Sequence, residues 1–193
     1  MLEKMICKVV NQMEMERLID SELREYYIYA FVTMVESWIT VGTIFIISFI
    51  SKNFIPTIFF LISFFSLRKR TGGYHAEKFW QCYIGTVVTY ILVILICPIL
   101  NDNRGVMYIL VLLAAIIISI IGTVNHPNIA MNEMELKESK KTARLIIALE
   151  CLLVYIFVKL NINGICICYM SVAIILCAVL LCIAKLLRQE VTK

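Results

Sequence analysis

Six long apolar segments, separated by short charged connections, constrain this 193-residue chain more than any other feature. They cover residues 27–50, 54–67, 79–100, 106–124, 145–160 and 165–187. Hydrophobic residues make up 61% of the chain, whereas an ordinary soluble domain has an apolar share of roughly 45–50%. We therefore expect an all-α fold, a polytopic helical bundle embedded in a membrane.

The six segments differ in how well they suit a full membrane span, which takes roughly 20 helical residues. The third, fourth and sixth segments are long enough. The second has Pro56 near its start and the fifth carries Glu150, so both are less suited to a full span. Two arrangements follow: six spans, or four full spans with two shallow or re-entrant segments. In both, residues 1–193 are expected to form one integral membrane domain.

Basic residues indicate the orientation of the bundle, because Lys and Arg are retained on the cytoplasmic side. With six spans, 15 of the 18 basic residues share one side, and only Lys52, Arg104 and Lys159 lie on the other. Both termini and the connection after the second segment are then cytoplasmic. Four full spans with two shallow segments would keep the same sidedness.

Residues 1–24 precede the first apolar segment and include an amphipathic pattern within residues 1–20. Apolar side chains recur at spacings of three and four, as on one face of a helix; they are Leu2, Met5, Ile6, Val9, Val10 and Met13. The pattern predicts an N-terminal amphipathic helix over residues 1–24. Such a helix either lies in the membrane interface or packs under the bundle, since both places take one apolar face.

The segment from Arg68 to Cys82 combines basic side chains, the flexible pair Gly72-Gly73, and His75 seven residues before Cys82. A cysteine attacks as its thiolate, which a nearby imidazole, a cation or a helix N-terminus makes more available. The residues therefore suit a nucleophile and its base. The alternative is a juxtamembrane loop in which the histidine only adds polarity and the cysteine packs or carries a lipid.

Geometry sets a condition on this pair. Seven residues of a straight α-helix separate two side chains by about 10 Å along the axis, too far for a hydrogen bond. Either the loop at Gly72 and Gly73 lets His75 fold back, or the helix begins only near Trp80. Glycine supplies the freedom for such a bend, and a first-turn position would favour the thiolate of Cys82.

No metal or cofactor is expected. His75 and Cys82 are too few ligands, and Cys166-Ile-Cys168 has no companion ligands nearby. We interpret the cysteines inside apolar segments as packing residues. A small membrane transporter or peptide exporter is the competing class of function, although no nucleotide-binding GxxxxGK[ST] loop occurs.

Arg68, Gly72, Gly73, His75 and Cys82, flanked by membrane segments, resemble the AgrB family, the accessory gene regulator B peptidases of Gram-positive quorum sensing. The amphipathic N-terminal region and the later stretch Asn125-His126-Pro127-Asn128 extend the resemblance over essentially the whole chain. His126 stands where the family varies, so we assign it no role.

The resemblance implies a cysteine endopeptidase with His75 and Cys82 as its dyad. Arg68 and Gly73 match further motif positions, and Arg70 and Gly72 are expected to support the site or bind substrate. The substrate would be an AgrD-like precursor peptide with an amphipathic leader, a signal sequence containing Cys or Ser, and an acidic tail. A homodimer in the lipid bilayer and no nucleic-acid partner are also expected. Glu150 and Asn128 are candidates for orienting the histidine.

Overall fold

The computed structural model describes residues 2–16, 18–20, 23–72, 79–124 and 132–187. These ranges contain seven α-helices and no strand, which confirms the all-α prediction. The helices are α1 (Leu2–Met15), α2 (Arg24–Ile50), α3 (Phe54–Thr71), α4 (Phe79–Asp102), α5 (Arg104–Ile121), α6 (Glu133–Lys159) and α7 (Gly164–Leu186). The chain divides into two compact units, Met1–Ile47 and Ser48–Lys193. That the whole chain acts as one domain stays a prediction.

Four of the described helices are long and apolar enough to cross a membrane, namely α2, α4, α5 and α7. Their mean hydropathies lie between 1.8 and 2.8. By contrast, α3 is an 18-residue helix whose last turn holds Arg68, Lys69 and Arg70. The helical membrane bundle is thus confirmed, while the number of segments that cross the membrane fully stays a prediction.

In the first unit, α1 packs its apolar face against α2. Ile6 and Val10 are buried, and Tyr27, Phe31 and other apolar side chains of α2 pack against them. A salt bridge of 3.5 Å between Arg24 and Glu14 also joins the two helices. Of the two expected places for the amphipathic helix, this structure shows packing against a neighbouring helix. The helix ends at Met15, earlier than the predicted residue 24.

In the second unit, α7 is the central helix. About 67% of its most apolar 18-residue window is buried, against 17% for α4 and 22% for α5. Helices α3, α4, α5 and α6 all contact it. Because α4 and α5 expose most of their apolar side chains, those two helices present the surface suited to lipid.

The start of α6 differs from the expectation. In the sequence, residues 125–144 form the longest polar connection, and their Glu and Lys residues predict one or two solvated helical turns. Instead α6 begins at Glu133 and continues without a break to Lys159, so about three polar turns extend the apolar helix. A capping box starts it: the Asn132 side chain accepts from the Glu135 N–H, and the Glu135 carboxylate accepts from the Asn132 N–H, each at 2.9 Å.

Candidate functional site

Cys82 lies at the beginning of α4, as the fourth residue of that helix. Its side chain is exposed, and side chains on a helix lean toward the N-terminal end. Thr86 belongs to the next turn and donates its hydroxyl to the Cys82 carbonyl at 2.8 Å. This position agrees with the expectation that the thiol sits near a helix N-terminus.

Arg68 lies in the last turn of α3 and brings a positive charge close to Cys82. Its Nη1 donates to the carbonyl of Gly72 at 2.5 Å, which folds the side chain toward the end of the helix. Burial lowers the pKa of the guanidinium, and electrostatic interactions with Cys177 and Cys82 act in the opposite direction. The charge of the half-buried arginine therefore interacts with two thiols, one exposed and one buried.

Gly72 ends α3 in a conformation that favours glycine. Its φ is +67°, in the left-handed region, and its N–H donates to the Arg68 carbonyl at 3.1 Å. A Cβ atom at this position would lie 3.1 Å from the Val124 carbonyl oxygen. Both the backbone angle and the close approach of a second chain segment thus restrict residue 72.

The carbonyls at the end of α3 are bonded by residues from other parts of the chain. The Arg70 carbonyl accepts hydrogen bonds from the hydroxyls of Thr123, at 2.9 Å, and Ser139, at 3.0 Å. The next carbonyl, that of Thr71, accepts from the Val124 N–H at 3.1 Å. The ends of α3 and α5 and the second turn of α6 are therefore joined at one place.

A cavity of about 360 Å³ opens beside this junction. Its walls carry charges of both signs, and the lining residues are Lys69, Arg70, Gly72, Thr123, Glu135, Glu138 and Ser139. The side chains of Lys69 and Arg70 are exposed. The cavity can accept a polar segment next to the point where the chain leaves α3.

A second polar cluster is buried between α3, α6 and α7. Ser66 donates its hydroxyl to Oε1 of Glu150, whereas Oε2 has no hydrogen-bond partner among the described residues. The thiol of Cys177 donates to the Phe64 carbonyl at 3.7 Å and interacts electrostatically with Arg68 and Glu150. The buried thiol of Cys177 therefore interacts electrostatically with both the arginine and the buried acid.

The structure describes four of the predicted site residues. Arg68, Gly72 and Cys82 lie around the gap between the end of α3 and the start of α4, with Arg70 exposed beside them. His75, Gly73 and the stretch 125–128 lie outside the described residues.

Sequence reasoning missed three side chains that surround these groups, namely Thr123, Ser139 and Cys177. The two hydroxyls reach their partner over 53 and 69 residues of chain. No pattern in the local sequence predicts hydrogen bonds between residues so far apart in the chain.

The apolar helices that are long enough to cross a membrane define an integral membrane protein, and its described residues include an exposed cysteine at the start of α4. The family model Accessory gene regulator B, AgrB, matches residues 4–184 of the 193-residue chain, and the chain belongs to this family. No curated protein and no solved structure matches the chain.

Proposed function

We propose that this protein is a membrane-embedded cysteine endopeptidase that processes an AgrD-like propeptide in quorum sensing. Membership in the AgrB family supports the substrate class. The observation that carries the chemistry is the exposed thiol of Cys82 at the start of α4, with which the charge of Arg68 interacts. A cation and a helix N-terminus both favour the thiolate form of a cysteine.

In the first half of the reaction, His75 takes the proton from the Cys82 Sγ. The thiolate attacks the carbonyl carbon of the last signal residue, and the peptide C–N bond breaks. The tail leaves as an amine after His75 returns the proton to its nitrogen. The signal peptide remains bound to Cys82 as a thioester.

In the second half, a Cys or Ser side chain of the signal peptide attacks the thioester carbonyl. The bond to Cys82 breaks, the ring closes as a thiolactone or a lactone, and the proton of the attacking group passes through His75 to the released thiolate. Attack by a thiol exchanges one thioester for another, so the free-energy change of this step is close to zero. Water must be excluded until the ring closes, which suits a site at the end of a helical bundle.

The remaining predicted site residues have supporting roles. Arg68 stabilises the thiolate of Cys82, because it is half-buried and its charge is screened less than that of an exposed residue. Arg70, exposed beside the cavity with Lys69, binds the acidic tail. Gly72 and Gly73 give the backbone the bend that brings His75 to the thiol.

The proposed enzyme is a single domain of the bacterial cytoplasmic membrane and works as a homodimer. Both termini and the site lie on the cytoplasmic side. The support is the charge distribution, with 15 of 18 basic residues on that side of a six-segment arrangement. A cytoplasmic site meets the precursor peptide where it is synthesised.

The proposal is tested with purified protein in liposomes and a synthetic precursor peptide. Cys82→Ala should abolish tail release, while Cys7→Ala, a matched change at a half-buried cysteine of α1, should leave it intact. Both variants should insert into the liposomes like the unmodified protein. Tail release by Cys82→Ala at the normal rate would refute the proposed function.

A further inference from the structure

The cavity at the end of α3 carries positive charge on one helix and negative charge on another. Its basic wall, Lys69 and Arg70, belongs to the last turn of α3, and its acidic wall, Glu135 and Glu138, belongs to the first two turns of α6. All four residues are exposed. Within the described ranges no ion pair joins the two walls. The cavity therefore offers a ligand separate places for a negative and a positive group.

The two carboxylates lie on one face of α6. Glu135 and Glu138 are three residues apart, a spacing that makes side chains neighbours on a helix. The capping box holds the first, because one oxygen of Glu135 accepts the Asn132 N–H at 2.9 Å. Ser139, four residues after Glu135, shares this face, and its hydroxyl donates to the Arg70 carbonyl at 3.0 Å. The acidic face of α6 is thus attached to the end of α3.

The cavity also adjoins the thiol site. Gly72 lines the cavity, and its carbonyl accepts a hydrogen bond from Arg68 at 2.5 Å. The charge of Arg68 interacts in turn with Cys82. Gly72 therefore connects the cavity wall to the arginine of the proposed site.

Cleavage of the proposed precursor creates a group that the intact peptide lacks. When the peptide bond breaks, the tail gains a free α-amine. This amine takes up a proton from water near pH 7, because the pKa of an α-amino group is about 7.7–8.0. The released tail then has a positive group on its first residue and acidic side chains after it. A ligand of this kind matches a cavity with one acidic and one basic wall.

We propose that the cavity binds the released tail: Glu135 and Glu138 bind its new ammonium group, and the basic wall binds its acidic side chains. The inference rests on the proposed function. An unprotonated amine could attack the thioester on Cys82, re-form the peptide bond and expel the thiolate, whereas an ammonium has no lone pair for this attack. An opposite charge within about 4–6 Å favours the charged form of a titratable group. The acidic wall thus keeps the tail from reversing the cleavage and leaves the thioester to the ring-forming side chain.

The test measures binding of the tail to detergent-solubilised Cys82→Ala protein, which the proposed mechanism makes unable to cleave. The probe is a synthetic acidic tail peptide with a fluorophore at its C-terminal end, either with a free N-terminal amine or N-acetylated. Fluorescence anisotropy gives the two Kd values at low ionic strength, where contacts between exposed charges are strongest. Since exposed ion pairs are individually weak, we expect the free-amine peptide to bind roughly threefold to tenfold more tightly than the acetylated one.

Variants of α6 in the Cys82→Ala protein locate the effect. Glu135→Gln combined with Glu138→Gln removes both charges, while glutamine can still accept in the capping box. The ratio of the two Kd values should then fall to about one, and the acetylated peptide should bind at least as tightly as before. Glu133→Gln is the matched control, because this exposed acid belongs to the first turn of the same helix and does not line the cavity. It should leave the ratio unchanged.

Equal or undetectable binding of the two peptides by the Cys82→Ala protein would overturn the inference. So would a preference for the free amine that the double variant retains. If the double variant lost the acetylated peptide as well, the carboxylates would only shape the cavity, and the inference would again be wrong. Tail release from the precursor by Cys82→Ala would instead refute the proposed function, so the two failures are distinguishable.

Discussion

The guanidinium of Arg68 and the thiol of Cys82 interact across the gap between α3 and α4. Arg68 lies in the basic last turn of α3, and Cys82 lies at the start of α4, the apolar helix that follows. A permanent positive charge is thereby held near an exposed thiol. The hydrogen bond from Arg68 to the Gly72 carbonyl keeps the charge in place.

Replacing Arg68 should slow the chemistry of Cys82. Arg68→Ala removes the positive charge and the bond to Gly72, so we expect alkylation of Cys82 by iodoacetamide at pH 7 to slow. Arg68→Lys should slow the alkylation less, since lysine keeps the positive charge. Lys141→Ala, at an exposed residue of α6, is the control. Equal rates in Arg68→Ala and the control would show that the arginine does not act on the thiol.

Cys82 should be the fastest-reacting of the eight cysteines. It is exposed, whereas Cys97, Cys166, Cys168 and Cys177 are buried. Peptide mapping by mass spectrometry after a short exposure to a peptide electrophile measures each rate. The rate at Cys82 should drop in His75→Ala, because the base is lost, and the other rates should stay the same. If His75→Ala left the Cys82 rate unchanged, the dyad would be wrong.

The two ends of α4 should be accessible from opposite sides of the membrane. Cys82 and Asp102 are 20 residues apart on this helix, about 30 Å at the rise of an α-helix, which is the thickness of the hydrocarbon. A membrane-impermeant maleimide should label Asp102→Cys in intact cells, and Cys82 only in inverted vesicles. Labelling of Cys82 in intact cells would place the site outside the cytoplasm.

The sequence predicts the apolar helices well because hydrophobic segments of this length have few alternatives. The start of α6 is harder, since Glu133 to Arg144 is polar and hydropathy alone marks it as a connection. The helix starts there because of the Asn132 and Glu135 capping box, a signal that the sequence does contain.

Part of the candidate site could likewise be predicted from the sequence, and part of it could not. Arg68 and Cys82 are near in sequence, so their proximity could be expected. The bonds from Thr123 and Ser139 to Arg70 depend on how α3, α5 and α6 pack. Packing between distant helices leaves no pattern in a single sequence.

Glu150 should tolerate loss of its charge better than loss of its side chain. Oε1 accepts from Ser66, while Oε2 is buried without a partner among the described residues. Glu150→Gln keeps the acceptor and the volume, so we expect its free energy of unfolding within about 1 kcal/mol of the unmodified protein. Glu150→Ala leaves a cavity in place of a buried side chain, although the Ser66 hydroxyl keeps the Ser63 carbonyl as a partner at 2.9 Å, and should cost about 2–5 kcal/mol.

Unfolding of the detergent-solubilised protein by SDS measures both changes at Glu150. Glu138→Gln, at an exposed position of the same helix, is the control for an amide in place of a carboxylate. If Glu150→Gln lowered the free energy of unfolding as much as Glu150→Ala does, the charge itself would stabilise the fold.

Gly122 should not tolerate a side chain. Its φ is +73°, and an added Cβ would lie 2.9 Å from Cγ of Lys140. We expect Gly122→Ala to lower the free energy of unfolding by about 1–3 kcal/mol. Gly85→Ala is the control: its Cβ meets nothing within 4 Å, and alanine in a helix interior should stabilise by about 0.5–1 kcal/mol. Similar effects at both glycines would contradict the described turn after α5.

The most direct test of the proposed peptidase is to trap the thioester on Cys82. A precursor peptide whose ring-forming Cys or Ser is replaced by Ala can be cleaved but cannot cyclise, so the acylated enzyme should accumulate. Intact mass spectrometry should then show one adduct with the mass of the leader and signal sequence, located on Cys82 and removed by hydroxylamine. Tail release without an adduct on this residue, or an adduct on another cysteine, would contradict the proposed mechanism.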